Sequence, residues 1–181
     1  MQGVPTLPLT KADLSYIYYE DDETAVSSDN GIRVALTSSE SYLVHQYRAV
    51  NDTVNDNIHV KINLQTNRAP STATVYLQVW NTTNLAWETL DSDNSTAVST
   101  DFDLDYTLSS NLTQYYDTSY EVAFRVYQAT GGSSKTLSVD LVEICFLTVY
   151  TDVYTETTPT YTDTYTSTTP TYVDKYETKT C

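Results

Sequence analysis

Ile58-His59-Val60-Lys61-Ile62-Asn63-Leu64 alternates apolar and polar residues without a break. A period of two puts Ile58, Val60, Ile62 and Leu64 on one face of a β-strand and His59, Lys61 and Asn63 on the other. The pattern recurs downstream. Val75, Leu77 and Val79 alternate with Tyr76, Gln78 and Trp80, and Val122, Phe124 and Val126 with Ala123, Arg125 and Tyr127. Between them lie turn formers such as Asp29-Asn30-Gly31, Asn81-Thr82-Thr83-Asn84 and Gly131-Gly132-Ser133-Ser134. Further strands are predicted at Leu14–Tyr19, Ile32–Leu36, Tyr42–Tyr47, Trp87–Leu90 and Asp103–Leu108.

The longest apolar stretch, 137–149, carries a parity change. Leu137, Val139 and Leu141 share one parity, whereas Val142, Ile144 and Phe146 share the other. Either a bulge lies near Leu141 or the strand is buried on both faces. No stretch of ten residues has a helical apolar stripe. Short strands at this spacing, joined by polar turns, predict an all-β chain, a jelly-roll-like β-sandwich.

Composition agrees. The chain has 181 residues with 17 Tyr, only 4 Gly and a formal charge of -15. Such an acidic chain lacks the basic footprint of a nucleic-acid binder and is repelled by anionic membranes. No apolar run approaches the length of a membrane-spanning helix, so no membrane insertion is expected. Met1-Gln2-Gly3-Val4-Pro5 has no basic n-region or apolar h-region. The expectation is a mature or trimmed chain, or one released by another route, such as a virus particle.

Three segments are predicted: an irregular N-terminal arm over 1–13, punctuated by Pro5 and Pro8; a β-sandwich domain over 14–149; and an extended tail over 150–181. The tail repeats every eleven residues, as YTDVYTETTPT, YTDTYTSTTPT and YVDKYETKTC. Tyr150, Tyr161 and Tyr172 are equivalent, as are Tyr154, Tyr165 and Tyr176. Pro159 and Pro170 occupy the slot that Cys181 fills in the third copy. Threonine density and the prolines oppose a helix and favour extended chain. Two readings follow: an arm that docks on neighbouring copies of the chain, or a Thr/Pro stalk open to O-glycosylation. Regular tyrosines favour the arm, because a spacer needs no aromatics.

Candidate chemistry is sparse. The two cysteines, Cys145 and Cys181, lack metal spacing; Cys145 reads as a buried thiol or as half of a Cys145–Cys181 bridge. His45 lies among apolar residues and reads as packed; His59 lies on a polar parity and reads as solvated. No nucleophile, zinc or nucleotide motif is present, and a non-enzymatic role is expected. Asp101, Asp103 and Asp105 alternate along one strand face, and their hard oxygens suit calcium, although Tyr106 and Leu112 stand where an EF-hand has Gly and Glu. No cofactor is otherwise required. Sequons start at Asn51, Asn81, Asn94 and Asn111, marking glycosylation acceptors or plain surface turns.

Residues 68–81, then Trp87–Ser92, Tyr120–Tyr127 and Ser138–Ile144, together resemble galactose-binding-like jelly-roll modules of prokaryotic surface and virus-associated structural proteins. The resemblance covers roughly residues 42–147 and includes the Asp140-x-x-Glu143 of the closing strand. It implies a jelly roll that either binds glycans or is purely structural. Ligand residues of such modules sit in variable loops, so no sugar-contacting position carries over. The leading expectation is a structural subunit of an extracellular filament, cell surface or virion, forming a homo-oligomer or polymer through its tail. The alternative is a lectin-like, carbohydrate-binding module in which Trp80 or Trp87 stacks on sugar faces.

Overall fold

A computed structural model describes residues 2–13, 26–154 and 172–180, with backbone alone for 150–154 and 172–180. The predicted strand Leu14–Tyr19 and the acidic run Glu20–Glu23 lie outside the described residues. The described residues form ten strands: β1 (Gln2–Val4), β2 (Val34–Ser38), β3 (Tyr42–Val50), β4 (Asn57–Thr66), β5 (Val75–Asn81), β6 (Ala86–Asp93), β7 (Phe102–Leu108), β8 (Glu121–Ala129), β9 (Lys135–Tyr154) and β10 (Tyr172–Thr180). Apart from them, the described residues contain only two single-turn 3-10 helices, Lys11–Asp13 and Leu112–Gln114.

The strands form two antiparallel sheets. One has the order β1-β3-β8-β5-β6; the other has β10-β9-β4-β7, with β2 also paired to β9. Their inner faces meet in one core. Ile58, Val60, Ile62 and Leu64 on β4 are sealed from solvent, as are Val75, Leu77 and Val79 on β5 and Val122, Phe124 and Val126 on β8. The two sheets thus make a β-sandwich whose core is the apolar parity of each strand.

The parity change in β9 is a bulge. Asn63 pairs with Leu141 but Leu64 with Val139, so Asp140 is the extra residue. Leu137 and Val139 face the core before it, and Val142, Ile144 and Phe146 after it. A bulge of this kind keeps the apolar set inward on both sides of the insertion. The spare residue is put to use. Asp140 is fully buried and accepts hydrogen bonds from the backbone N–H of Asn30 (3.3 Å) and Gly31 (2.8 Å), while Arg33 approaches to 3.3 Å. A buried carboxylate is tolerated where backbone donors and an opposite charge meet it.

Two polar side chains join the sheets through the core. His45 on β3 donates from Nε2 to the Leu137 carbonyl of β9 at 3.1 Å, because a carbonyl can only accept. Gln128 on β8 accepts from Thr66 Oγ1 of β4 at 2.6 Å and donates to the Arg68 and Ala73 carbonyls. Burial depresses the His45 imidazole to a pKa of about 3, overriding the opposing effect of its bond to Leu137.

The N-terminal arm is less irregular than its prolines suggest. Gln2–Val4 pairs with Tyr42–Val44 of β3, and the chain then crosses the outer face of that sheet. Val4 and Leu7 pack with Val44, Tyr42 and Tyr127. Nor does the chain break at 149/150, where sequence composition changes: β9 runs through that boundary to Tyr154.

Candidate functional site

The outer face of the β10-β9-β4-β7 sheet carries a row of matched charges. Asp101, just before β7, meets Arg33 at 2.7 Å and accepts from Gln65 at 2.8 Å. Asp103 meets Lys61 and Asn63, each at 2.9 Å, and Asp105 meets His59 at 2.9 Å. Partial burial opposes ionisation of Asp103, but the hydrogen bonds from Lys61 and Asn63 outweigh it and hold its carboxyl below the usual range. The hydrogen bond to Asp103 in turn raises the Lys61 ammonium. The three carboxylates proposed for calcium therefore each have their own cross-strand or arginine partner. They do not converge on one point.

Next to this row lies the residue read as a buried thiol. Cys145 is fully buried and is disulfide-bonded. It pairs across the ladder with His59, and its Sγ lies 3.2 Å from Glu143 Oε1. An oxidised sulfur has no proton to donate, so this is a contact and not a hydrogen bond. Cys181, the other cysteine of the chain, lies outside the described residues.

Beyond Cys145 the strand outruns its sheet. The last residue of β9 paired with β4 is Leu147, opposite Asn57, yet β9 continues for seven residues to Tyr154. Among the described residues those seven, about 23 Å of strand, pair with β10 alone. The register is Tyr154↔Tyr172, Asp152↔Asp174 and Tyr150↔Tyr176. Each repeat opens with Tyr-x-Asp-x-Tyr, which reads the same in both directions. Antiparallel pairing of the first copy with the third thus brings Tyr opposite Tyr and Asp opposite Asp. The period is legible in the sequence, whereas this symmetry has a meaning only once two copies run in opposite directions. Tyr161 and Tyr165, in the second copy, lie outside the described residues.

The tryptophans belong to the outer face of the other sheet, opposite each other on β5 and β6. Trp80 is only 5% exposed, and its ring meets Trp87 edge-on at 5.4 Å between centroids. The Arg125 guanidinium lies over the Trp87 ring at 4.3 Å. Arg125 is itself 3% exposed and donates to Gln78 Oε1 (2.8 and 2.6 Å) and to the Pro8 carbonyl (2.7 Å). Burial lowers its pKa to about 10, which still leaves it charged at neutral pH. The indoles are therefore engaged in packing and cation–π contact with a latch that holds the arm. Lys11 completes that latch with ion pairs to Asp117 (2.8 Å) and Glu121 (3.2 Å).

A cleft of about 450 Å³ opens at one end of the sandwich, lined by Asn67, Arg68, Thr72, Thr130, Ser133 and Lys135 among others. Gly131 also lines it, in a backbone conformation that favours glycine. That residue has φ +74°, and a Cβ there would come within 2.6 Å of the Arg68 guanidinium. Among the sequons, Asn94 and Asn111 are exposed and Asn51 is partly so. Asn81 is fully buried. Its amide donates to Glu88 and accepts from the Thr83 and Asn84 N–H groups, so it holds the β5–β6 turn and is closed to a glycan.

No protein-family model, characterised protein or solved structure matches the chain.

Proposed function

We propose that this protein is a non-enzymatic structural subunit of an extracellular filament, cell surface or virion, assembling with copies of itself through its C-terminal tail. The observation that carries the reading is the β9–β10 ribbon, which leaves the sandwich and pairs repeat with repeat. Because Tyr-x-Asp-x-Tyr is palindromic, any copy of the block matches any other in antiparallel register, whether from the same chain or another. Among the described residues β10 is the last strand on its side of the ribbon, and an edge strand is the usual template for adding another. Seventeen residues separate Tyr154 from Tyr172, whereas a tight hairpin uses about two to five. That length lets β10 pair with the β9 of a neighbour instead of its own.

The strand order supports a jelly roll. From β2 to β9 successive strands alternate between sheets except at the β5–β6 hairpin, so that β2-β9-β4-β7 faces β3-β8-β5-β6, as two interlocked Greek keys require. The ladder register also supports a Cys145–Cys181 bridge. Thr180 lies opposite Phe146, and one further step reaches Cys145. A disulfide fits an oxidising location outside the cytosol.

The test is the mass and shape of the protein in solution, by light scattering and electron microscopy. The full chain gives oligomers or filaments. Thr178→Pro removes the ladder donor that β10 presents opposite Thr148 and gives monomers with unchanged β-sheet circular dichroism. A full chain that is monodisperse and monomeric at all concentrations sinks the proposal. The cleft at Arg68 and Lys135 favours glycan binding as the second reading, since its hydroxyls, amides and cations suit an acidic sugar. Glycan-array binding lost on Arg68→Ala, with assembly absent, would select it.

A further inference from the structure

We propose that opening the Cys145 disulfide creates a zinc site from His59, Glu143 and Cys145. The three side chains present one ligand atom each, and these atoms all lie within 4.8 Å of one another. Tetrahedral zinc with bonds of roughly 2.0–2.3 Å needs ligand atoms about 3.3–3.8 Å apart, so small side-chain rotations close the site. The backbone already sets the arrangement. His59 and Cys145 are directly opposite on β4 and β9, and Glu143 precedes Cys145 by two residues on the same face. Asp105 holds His59 Nε2 at 2.9 Å, which leaves Nδ1 to accept a metal. A carboxylate on the far ring nitrogen is the usual support for a metal-bound histidine.

The donor set is one imidazole, one carboxylate and one thiolate. A thiolate and an imidazole select zinc over calcium or magnesium. Glu143 and the Cys145 thiolate together balance the two charges of the ion, and a water completes the tetrahedron. While Cys145 is oxidised its sulfur has no thiolate to give, so metal and disulfide exclude each other. The switch needs a reductant. A dithiol opens the bridge by exchange, becoming a cyclic disulfide as two protein thiols form; zinc then displaces the Cys145 proton to solvent. The state of Cys145 would thus report whether the subunit stands in a reducing or an oxidising environment.

Cobalt(II) is the probe, because cobalt–thiolate coordination gives a charge-transfer band in the near ultraviolet. In Cys181→Ser, Cys145 has no second cysteine in its chain and needs no reductant. This variant should bind one equivalent of cobalt with that band, and zinc should displace it. The oxidised wild-type chain should show no band. In the same background His59→Asn should abolish binding, and Asp105→Asn should weaken it by about tenfold. Wild-type protein reduced by a phosphine, which becomes the phosphine oxide as water supplies the thiol protons, repeats the measurement without substitution. No band in either reduced form, or a band indifferent to His59→Asn and Glu143→Gln, overturns the proposal.

Discussion

Acidification from about pH 7 to about pH 5 tests the role of His45 in joining the two sheets. The imidazole is sealed in the core and neutral, with its pKa lowered by burial from 6.5 to about 3. The sign follows from linkage. Below pH 6.5 the unfolded chain takes up a proton that the folded chain refuses, so stability falls with pH until about pH 3, where the folded form would also bind one. Each pH unit in that window removes about 1.4 kcal/mol, and at about pH 5 the accumulated loss is about 2 kcal/mol. Asp93, Asp103 and Asp117 are held below the usual carboxylate range, so they stay ionised throughout and add no slope. Urea unfolding at several pH values, extrapolated to water, measures the loss. His45→Gln keeps a donor for the Leu137 carbonyl but cannot titrate, and His59→Gln controls for the other histidine. The difference between wild type and His45→Gln should therefore carry the slope. A wild type flat between these pH values, or an equal slope in His45→Gln, refutes the argument.

Three other outcomes follow from the contacts described. Arg125→Met should cost about 2–3 kcal/mol in urea unfolding, because Gln78 Oε1 and the Pro8 carbonyl lose a charged donor; limited proteolysis should also cut the arm between Val4 and Lys11 faster. Asp140→Ala should cost about 3 kcal/mol, since it strands Arg33 and two backbone N–H groups; a change within about 0.5 kcal/mol would show that the Asn30–Gly31 turn holds without it. Chelation of divalent cations should leave the melting temperature unchanged, because Arg33, Lys61 and His59 already face Asp101, Asp103 and Asp105; a fall of several degrees would restore the calcium reading.

What was legible in the sequence was whatever repeats locally. The alternation at Ile58–Leu64 located β4 and its core face, and the parity change near Leu141 located the bulge. The roles of Arg125, His45 and Asp140 were not legible, because their partners lie far along the chain: Pro8 is 117 residues from Arg125, Leu137 is 92 from His45 and Asn30 is 110 from Asp140. No periodicity encodes such pairs. Trp80 and Trp87 invited a sugar-stacking reading because an aromatic pair at a turn looks the same in sequence whether it is open or covered by a guanidinium. Asn81 read as a sequon for a similar reason, since Asn-Thr-Thr specifies a glycan acceptor and a turn equally well. For the N-terminal arm, three residues of strand are too few to show a pattern, and their partner is β3, some forty residues away.

The long reach of β9 also determines how the molecule would carry a load. Tension entering through the connection between Tyr154 and Tyr172 pulls β9 and β10 in the same direction, so the ladder between them is not peeled apart from its end. The force passes instead along β9 into its pairing with β4, which extends from Asn57 to Thr66. Hydrogen bonds in an antiparallel ladder lie across the strands, so a pull along β9 loads them in shear and together, not one after another as in peeling. A tail tethered at that connection is thus anchored by the interior of the sandwich, and its mechanical strength is that of the core sheet rather than of the two-stranded ribbon.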